Sequence, residues 1–301
     1  MAHVDQLMNY FGNCGAKLNG KPRVGSEIET FFVCDDGSAI TLAQSQAILK
    51  RLVRGRGWVV AGRKGDMITE VRHGTSRVLY ELGYPNIELC VAPHDITDIV
   101  ERSRSLLEDL YRSAEECDAY PSFAPMFIGN GDCLALPDDR DATWLQLDGE
   151  KALSPLARIS AVQYTLDVEH DDAVRKLNAL NAARGQFLRS YPQDSVWRAY
   201  IKDSDACYKE DRYGGPTEFR SLLHYCEELA MHQVVCGPQL VPFDKAELGT
   251  NESIALFIRS VWWYFRLRRY GQKLCIEVRP LPRRRDEKLQ EQLDFVIGLM
   301  D

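Results

Sequence analysis

The chain has 301 residues, of which 45% are hydrophobic and 27% charged, and its formal net charge at neutral pH is −7. This composition is typical of a globular protein that is long enough to bury a substantial core, as one domain or two. The acidic balance argues against a protein whose main task is to bind nucleic acid, and the short basic run 283–285 is interpreted as a solvated helix start.

The compartment is predicted from features that the sequence lacks. No segment approaches the roughly 18 uninterrupted apolar residues that a membrane helix needs. Residues 1–10 have neither the basic nor the apolar part of a secretory signal. The nine cysteines form no CxxC pair and no zinc-ligand spacing, which favours reduced thiols. The sequence therefore predicts a cytoplasmic protein without a membrane partner.

Apolar residues at helical spacing predict six amphipathic helices. Asp95 is placed to cap the second of them. An aromatic run, Trp262 to Phe265, falls inside the fifth and is interpreted as core or as a dimer contact. The predicted helices span 42–53, 95–117, 171–188, 216–235, 250–270 and 286–299.

Two segments between these helices are predicted to be long loops. Residues 129–155 are rich in Asp, Gly and Pro, and residues 202–216 are polar and end in Gly-Gly-Pro. Neither has the Gly/Ser or Pro-rich composition of an interdomain linker. The sequence therefore predicts a single domain, 1–301, with long functional loops.

Four segments with a period of two are predicted strands: VGSEIETFFV, NIELCV, SAVQYTLDV and CIEVRPLP. Successive side chains of a strand point to opposite faces, so each segment has one apolar face and one polar face. The polar faces carry Glu27, Glu29, Glu88, Gln163, Thr165, Asp167, Glu277 and Arg279.

A polar strand face on its own is most simply explained by contact with solvent. These faces, however, are dominated by carboxylates and contain no lysine, and clustered carboxylates repel one another unless cations neutralise them. Oxygen ligands without a His/Cys cluster favour Mg²⁺ or Mn²⁺ over zinc. The chain contains no GxxxxGK[ST] motif, so a nucleotide would bind by another design. The residues alone thus predict a metal–nucleotide enzyme built on an open sheet.

Five segments, in order, resemble motifs of the plant and proteobacterial glutamate–cysteine ligases, which belong to the glutamine synthetase/guanido kinase-like fold group. They are LMNYFGNCGAKLNGKPRVGSEIETFFV, YELGYPNIELCVAP, RISAVQYTLDVEHDDAVRKLNAL, SVWRAYIKDSDACYKEDRYGG and CIEVRPLP. The resemblance implies an α+β fold in which an antiparallel β-sheet cup carries helices on its outer face. It also implies an ATP- and Mg²⁺-dependent carboxylate–amine ligase (Mn²⁺ being possible) that forms an amide through an acyl phosphate.

The resemblance further implies a role for individual residues. The metal ligands would be Glu27, Glu29, Glu81 and Glu88. The nucleotide contacts would be Gln163, Thr165 and Trp197. The catalytic residues would be Arg279, Glu277 and Arg212, the last as a phosphate or lid contact.

Two departures from the family bear on the substrates. The chain is shorter and compresses the region 131–160, and Gln193 stands where the family places an arginine for the α-carboxylate of glutamate. An amide replaces a guanidinium fork poorly. The chain is therefore expected to join a glutamate-like or other amino-acid donor to a small amine or amino-acid acceptor, as a possible homodimer. A phosphotransferase of the same fold group and a non-catalytic nucleotide-binding regulatory relative stay open as alternatives.

Overall fold

The computed structural model describes residues 2–15, 17, 22–134 and 139–301. The helices are α1 Ala2–Gly12, α2 Leu42–Gly55, α3 Ile99–Glu115, α4 Asp139–Asp148, α5 Glu150–Leu156, α6 Ala173–Ala182, α7 Arg184–Leu188, α8 Gln193–Asp203, α9 Leu222–Ala230, α10 Asn251–Arg259 and α11 Leu289–Met300. The strands are β1 Arg23–Val33, β2 Val59–Lys64, β3 Met67–His73, β4 Ser76–Glu81, β5 Gly83–Asp95, β6 Tyr120–Ser122, β7 Ala161–Val168, β8 Tyr213–Gly214, β9 Val234–Cys236, β10 Gln239–Val241, β11 Trp262–Trp263, β12 Phe265–Tyr270 and β13 Lys273–Pro282.

The centre of the fold is a large antiparallel sheet in the order β12-β13-β7-β1-β5-β4-β3-β2, with β6 paired to the end of β1. Strand β1 lies in the middle, between β7 and β5. Helices α2, α3 and α6 pack against the strands, and the core of the protein lies between these helices and the sheet. The predicted α+β class with a helix-backed antiparallel sheet is therefore confirmed.

The apolar face of the sheet follows from the period-two pattern. In β1, Val24 and Ile28 are buried in the core, and Tyr164 of β7 is buried on the same face. The hydroxyl of Tyr164 donates a hydrogen bond to the carbonyl oxygen of Leu289 at 2.9 Å, which ties α11 to the back of the sheet. All four predicted strands are present, in β1, β5, β7 and β13.

Several predicted helix boundaries are wrong. Helix α3 begins at Ile99, and Asp95 ends strand β5 instead of capping the helix. The segment 171–188 is divided between α6 and α7, and only Leu222–Ala230 of 216–235 is helical. The predicted loop 129–155 contains α4 and α5, whereas 202–216 holds a short 3₁₀ turn and strand β8.

The largest correction concerns the predicted helix 250–270. Helix α10 ends at Arg259, and the chain continues as β11, which pairs in parallel with β8, and as β12, which forms an edge of the main sheet. Phe265 and Leu267 face the core while Arg266 and Arg268 pair with the polar side of β13. This alternation has a period of two, which a helix cannot accommodate. The aromatic run is therefore buried in strands.

The basic run 283–285 is also placed differently from the prediction. Arg283 is not solvated but fully buried, and its guanidinium donates hydrogen bonds to the hydroxyl of Tyr111 at 2.6 Å and to Asp286 at 2.7 Å. Helix α11 begins only at Leu289. No helix of the described residues is both long enough and apolar enough to cross a membrane.

Gly83 offers a test of the turn that joins β4 to β5. Its φ is +91°, and a methyl group there would overlap the carbonyl oxygen of Cys133. Gly74 has φ +60° with open space around it, so Gly74→Ala costs only the backbone strain of about 1–2 kcal/mol. We expect Gly83→Ala to lower the free energy of unfolding by at least about 2 kcal/mol more than Gly74→Ala, as measured by urea denaturation. Equal losses would contradict the close approach.

Candidate active site

The polar residues of neighbouring strands lie opposite one another on a single face of the sheet. Glu29 of β1 pairs with Glu88 of β5. Glu27 pairs with Gln163 of β7, and Thr165 of the same strand pairs with Glu277. Since paired residues of antiparallel strands point to the same side, the face that the sequence predicts strand by strand is continuous in the structure.

Three glutamates form an acidic cluster on this face. Carboxylate oxygens of Glu29, Glu81 and Glu88 all lie within 4.8 Å of one another. Glu81 reaches the cluster from the last position of β4, where the pairing with β5 is irregular at Gly83. Glu29 is held in place by two donors, the Gln163 amide at 3.0 Å and the backbone N–H of Ala161 at 2.7 Å. We call Glu29, Glu81 and Glu88 the acidic cluster.

Burial and mutual repulsion raise the pKa of two carboxyls of this cluster, Glu29 and Glu88. Burial, together with the charge of Glu81, raises the pKa of Glu29 to about 8. Burial and the charges of Glu27 and Glu81 raise the pKa of Glu88 well above its ordinary value. Glu27, which is half-buried beside the cluster, also has a raised pKa, from burial and from Glu277. A cation bound here would offset both the burial of the ionised carboxylates and the repulsion between them.

The donor set of the acidic cluster fits Mg²⁺ or Mn²⁺. All three side chains offer carboxylate oxygens, which these hard cations prefer. Within the described part of the chain, no other group of three or more His, Cys, Asp or Glu side chains converges in this way. Glu27 lies outside the group of three, although its charge reaches Glu88.

A basic cluster adjoins the acidic one on the same face. Glu277 is 1% exposed and is surrounded by three arginines. Arg266 forms an ion pair with it, Arg268 lies at 2.9 Å and Arg279 at 3.4 Å. Burial opposes ionisation of Glu277, but the three guanidinium groups outweigh it and hold the pKa of Glu277 below its usual value. We call Glu277 and its three arginines the basic cluster.

Gln163 connects the two clusters. Its amide nitrogen donates to Glu29 at 3.0 Å, and its amide oxygen accepts a hydrogen bond from Arg279, also at 3.0 Å. Thr165 is half-buried two residues further along the same strand, opposite Glu277. The structure thus brings Gln163, Thr165, Glu277 and Arg279 together with the predicted glutamates. Whether they contact a nucleotide stays a prediction.

Arg212 does not belong to this face. Its buried guanidinium donates to the carbonyl oxygens of Ser260 at 2.8 Å and Gln233 at 2.9 Å, and it lies 4.7 Å from the centre of the Tyr208 ring. These contacts explain Arg212 as a packing residue that joins the segments around β8 and β11. The prediction of a phosphate or lid contact came from the resemblance alone, and these contacts do not support it.

Trp197 lies in an aromatic group next to Arg212. It stacks on Tyr213 with ring centres 5.4 Å apart and an angle of 8° between the planes. The ring is half-buried, and its role as a nucleotide contact stays a prediction.

Sequence reasoning missed three residues that contribute to this face. Arg266 and Arg268 were assigned to a helix, although the alternation FRLRRY was a signal for a strand. Tyr191 is buried beside the site, and burial and the charge of Glu29 raise the pKa of its phenol. No pattern around Tyr191 pointed to this position.

Three solved structures resemble this chain to different degrees. A bifunctional glutathione synthetase from Pasteurella multocida superposes with a TM-score of 0.55 at 14% identity, covering 99% of this chain and 40% of that chain. A glutamate–cysteine ligase from Francisella tularensis in complex with AMP gives 0.49 at 12% identity, over 89% of this chain and 62% of that one. A GmaS/ADP complex gives 0.33 at 13% identity, over 65% of this chain and 43% of that one.

The comparison with the glutathione synthetase shows a common fold along almost the whole chain, at an identity too low to show more. This chain spans less than two thirds of the length of each of these proteins. No family model and no curated protein matches the sequence.

Cation binding at the acidic cluster is expected to depend on pH. Protons and Mg²⁺ compete for the same carboxylates, and the pKa of Glu29 is raised to about 8. The increase in melting temperature produced by millimolar Mg²⁺ or Mn²⁺ should therefore grow between about pH 6 and about pH 9. Glu88→Gln should remove most of the increase, whereas Glu101→Gln on the exposed side of α3 should preserve it. An increase that is independent of pH, or equal in the two variants, would rule out this cluster.

Removal of one arginine from the basic cluster tests whether the three guanidinium groups stabilise the buried charge of Glu277. We expect Arg266→Met to lower the free energy of unfolding by about 3–5 kcal/mol, because it leaves a buried carboxylate with less compensation. Arg54→Met, at an exposed position of α2, is the control. The double variant Arg266→Met/Glu277→Gln should recover part of the loss in urea denaturation. A loss no larger than that of the control would contradict the described ion pairs.

Proposed function

We propose that this protein is an ATP- and Mg²⁺-dependent carboxylate–amine ligase that forms an amide through an acyl phosphate. The observation that supports it most is the convergence of Glu29, Glu81 and Glu88 within 4.8 Å on the face that also carries Arg279. The fold shared with the bifunctional glutathione synthetase agrees with this proposal. The described elements are proposed to act as one catalytic unit, 1–301.

The acidic cluster would hold Mg²⁺, with Glu27 close by to balance a second positive charge. Bound Mg²⁺ supplies charge neutralisation for the polyphosphate of ATP. Glu29 contributes only if its carboxylate is ionised and aimed correctly, and the two hydrogen bonds from Gln163 and Ala161 fix its orientation. These two donors also stabilise the charged form of Glu29.

Arg279 is the arginine of the basic cluster best placed to contact a phosphoryl group. Its side chain is 18% exposed, compared with 4% for Arg266 and 7% for Arg268. Glu277 and Gln163 accept hydrogen bonds from one of its terminal nitrogens and thereby orient the guanidinium. A preorganised cation of this kind stabilises charge that develops during phosphoryl transfer. Glu277, Arg266 and Arg268 act as positioning residues.

The proposed reaction has two steps. A carboxylate oxygen of the donor attacks the γ-phosphorus of ATP, the bond to the β-phosphate oxygen breaks, and an acyl phosphate and ADP form. The nitrogen of the amine then attacks the acyl carbon, inorganic phosphate leaves, and the nitrogen loses a proton. The product is the amide.

The environment of Gln193 bears on which carboxylate substrate the protein uses. It is completely buried, and its amide nitrogen donates to the carbonyl oxygen of Ser160 at 2.7 Å. A carboxylate of the substrate would find no guanidinium fork at this position. Arg198, the nearest candidate along α8, pairs with Asp194 at 2.9 Å and with the hydroxyl of Tyr264 at 3.0 Å. These contacts support a donor other than glutamate, or one bound in another way.

The test is ADP release from Mg-ATP with carboxylates and amines offered singly and in pairs, with products identified by mass. We expect ADP release to require both substrates and to yield a product lighter than their sum by one water. Arg279→Lys, which keeps the charge but loses the fork, should lower kcat about 100-fold. Arg54→Lys on α2 is the matched control.

Two outcomes would contradict the proposal. A phosphorylated product formed without any amine would identify a phosphotransferase. ATP binding that is lost in Glu88→Gln, but with no turnover for any pair, would identify a regulatory relative.

A further inference from the structure

A cavity lies outside the acidic and basic clusters. It has a volume of about 560 Å³, within the range of roughly 300–1,000 Å³ that small-molecule sites occupy. Phe123, Pro125, Pro192 and Pro282 form apolar walls, and the basic run 283–285 lies along one side. We call this space the proline cavity.

The cations of the proline cavity differ in how far they are neutralised. Arg283 is buried and paired with Asp286 at 2.7 Å, and Lys288 is paired with Glu291 at 2.6 Å. Among the described residues, no carboxylate lies within ion-pair distance of Arg284 or Arg285. Glu287 is the carboxylate that lines the cavity, so one positive charge remains in excess.

Arg283 makes this arrangement rigid. Its guanidinium lies 5.0 Å from the centre of the Phe123 ring and donates to the hydroxyl of Tyr111 and to Thr30. A fully buried arginine with these partners fixes the backbone of the run at the end of β13. Arg284 is therefore held half-buried at the cavity, and Arg285 is held exposed at its edge, 5.9 Å from the Phe123 ring.

One wall of the proline cavity lies near the acidic cluster. Pro282 pairs with Ala161, whose backbone N–H donates to Glu29 at 2.7 Å. On another side, Ser190 and Pro192 line the cavity, and the charges of Glu29 and Arg279 act on the phenol of Tyr191 between them. Strand β7 thus separates Pro282, in the cavity wall, from Glu29 of the acidic cluster.

We propose that the proline cavity binds a small organic anion. Its carboxylate or phosphate group would bind Arg284 and Arg285, and its apolar body would pack against Phe123 and the prolines. Arginine forks suit both head groups because each offers two oxygens to parallel N–H donors. This site does not depend on the proposed ligase activity, since neither its cations nor its walls belong to the acidic or basic cluster.

The test measures binding of phenylacetate and of phenyl phosphate to the full chain by calorimetry. Acetate and inorganic phosphate serve as head-group probes, and benzyl alcohol as the uncharged aromatic probe. We expect an aromatic anion to bind about tenfold or more tightly than its head group alone or than benzyl alcohol. The preferred head group distinguishes a carboxylate ligand from a phosphate ligand.

Variants locate the bound probe. Arg284→Gln/Arg285→Gln should weaken binding about tenfold or more. The control, Lys50→Gln/Arg54→Gln on exposed positions of α2, removes the same charge and should leave binding unchanged. Ser190→Phe, which fills the cavity without removing a charge, should also weaken binding. Glu88→Gln should leave it intact, which separates this site from the metal cluster.

Equal binding by the two double variants, or no binding of either aromatic anion at millimolar concentration, would overturn the proposal.

Discussion

Repulsion between buried carboxylates is the constraint on which the rest of this structure depends. Glu29 and Glu88 are each 6% exposed and lie next to Glu81, so burial and like charge both oppose their ionisation. A sheet face that collects such groups costs stability unless a cation occupies it or protons remain on it. In the basic cluster, three guanidinium groups of the chain itself stabilise the buried, ionised Glu277. The charges of Arg77 and Arg279 act on Glu88 and Glu29, but the pKa of both carboxyls stays raised, so the acidic cluster suits an external cation.

The topology explains how residues far apart in sequence meet here. Strand β1 is central, so its two glutamates face β7 on one side and β5 on the other. Helices α2 and α3 pack against the sheet, and the polar side chains collect on its other face, where most of them are buried. Gln163 then couples the two clusters, since a single carboxamide contacts Glu29 and Arg279.

Much of this face could be predicted from sequence because strands encode it with a period of two. This pattern alone places seven residues on polar strand faces: Glu27, Glu29, Glu88, Gln163, Thr165, Glu277 and Arg279. The register between strands cannot be predicted from the pattern of a single strand. Glu81 was predicted as a metal ligand only from the family resemblance. Arg266 and Arg268 fall inside a predicted helix because the aromatic residues before them also fit a helical spacing. Arg212 was also named through the resemblance, and a motif does not show that backbone carbonyls accept hydrogen bonds from its guanidinium.

The most direct test of the central claim is a crystal structure with Mn²⁺ and a non-hydrolysable ATP analogue, read by anomalous scattering. We expect a manganese peak among the carboxylates of Glu29, Glu81 and Glu88, with phosphate oxygens of the analogue between this ion and Arg279. A bound analogue whose phosphates and manganese lie elsewhere on the protein would contradict it. So would an acidic cluster that stays free of metal while the nucleotide site is fully occupied.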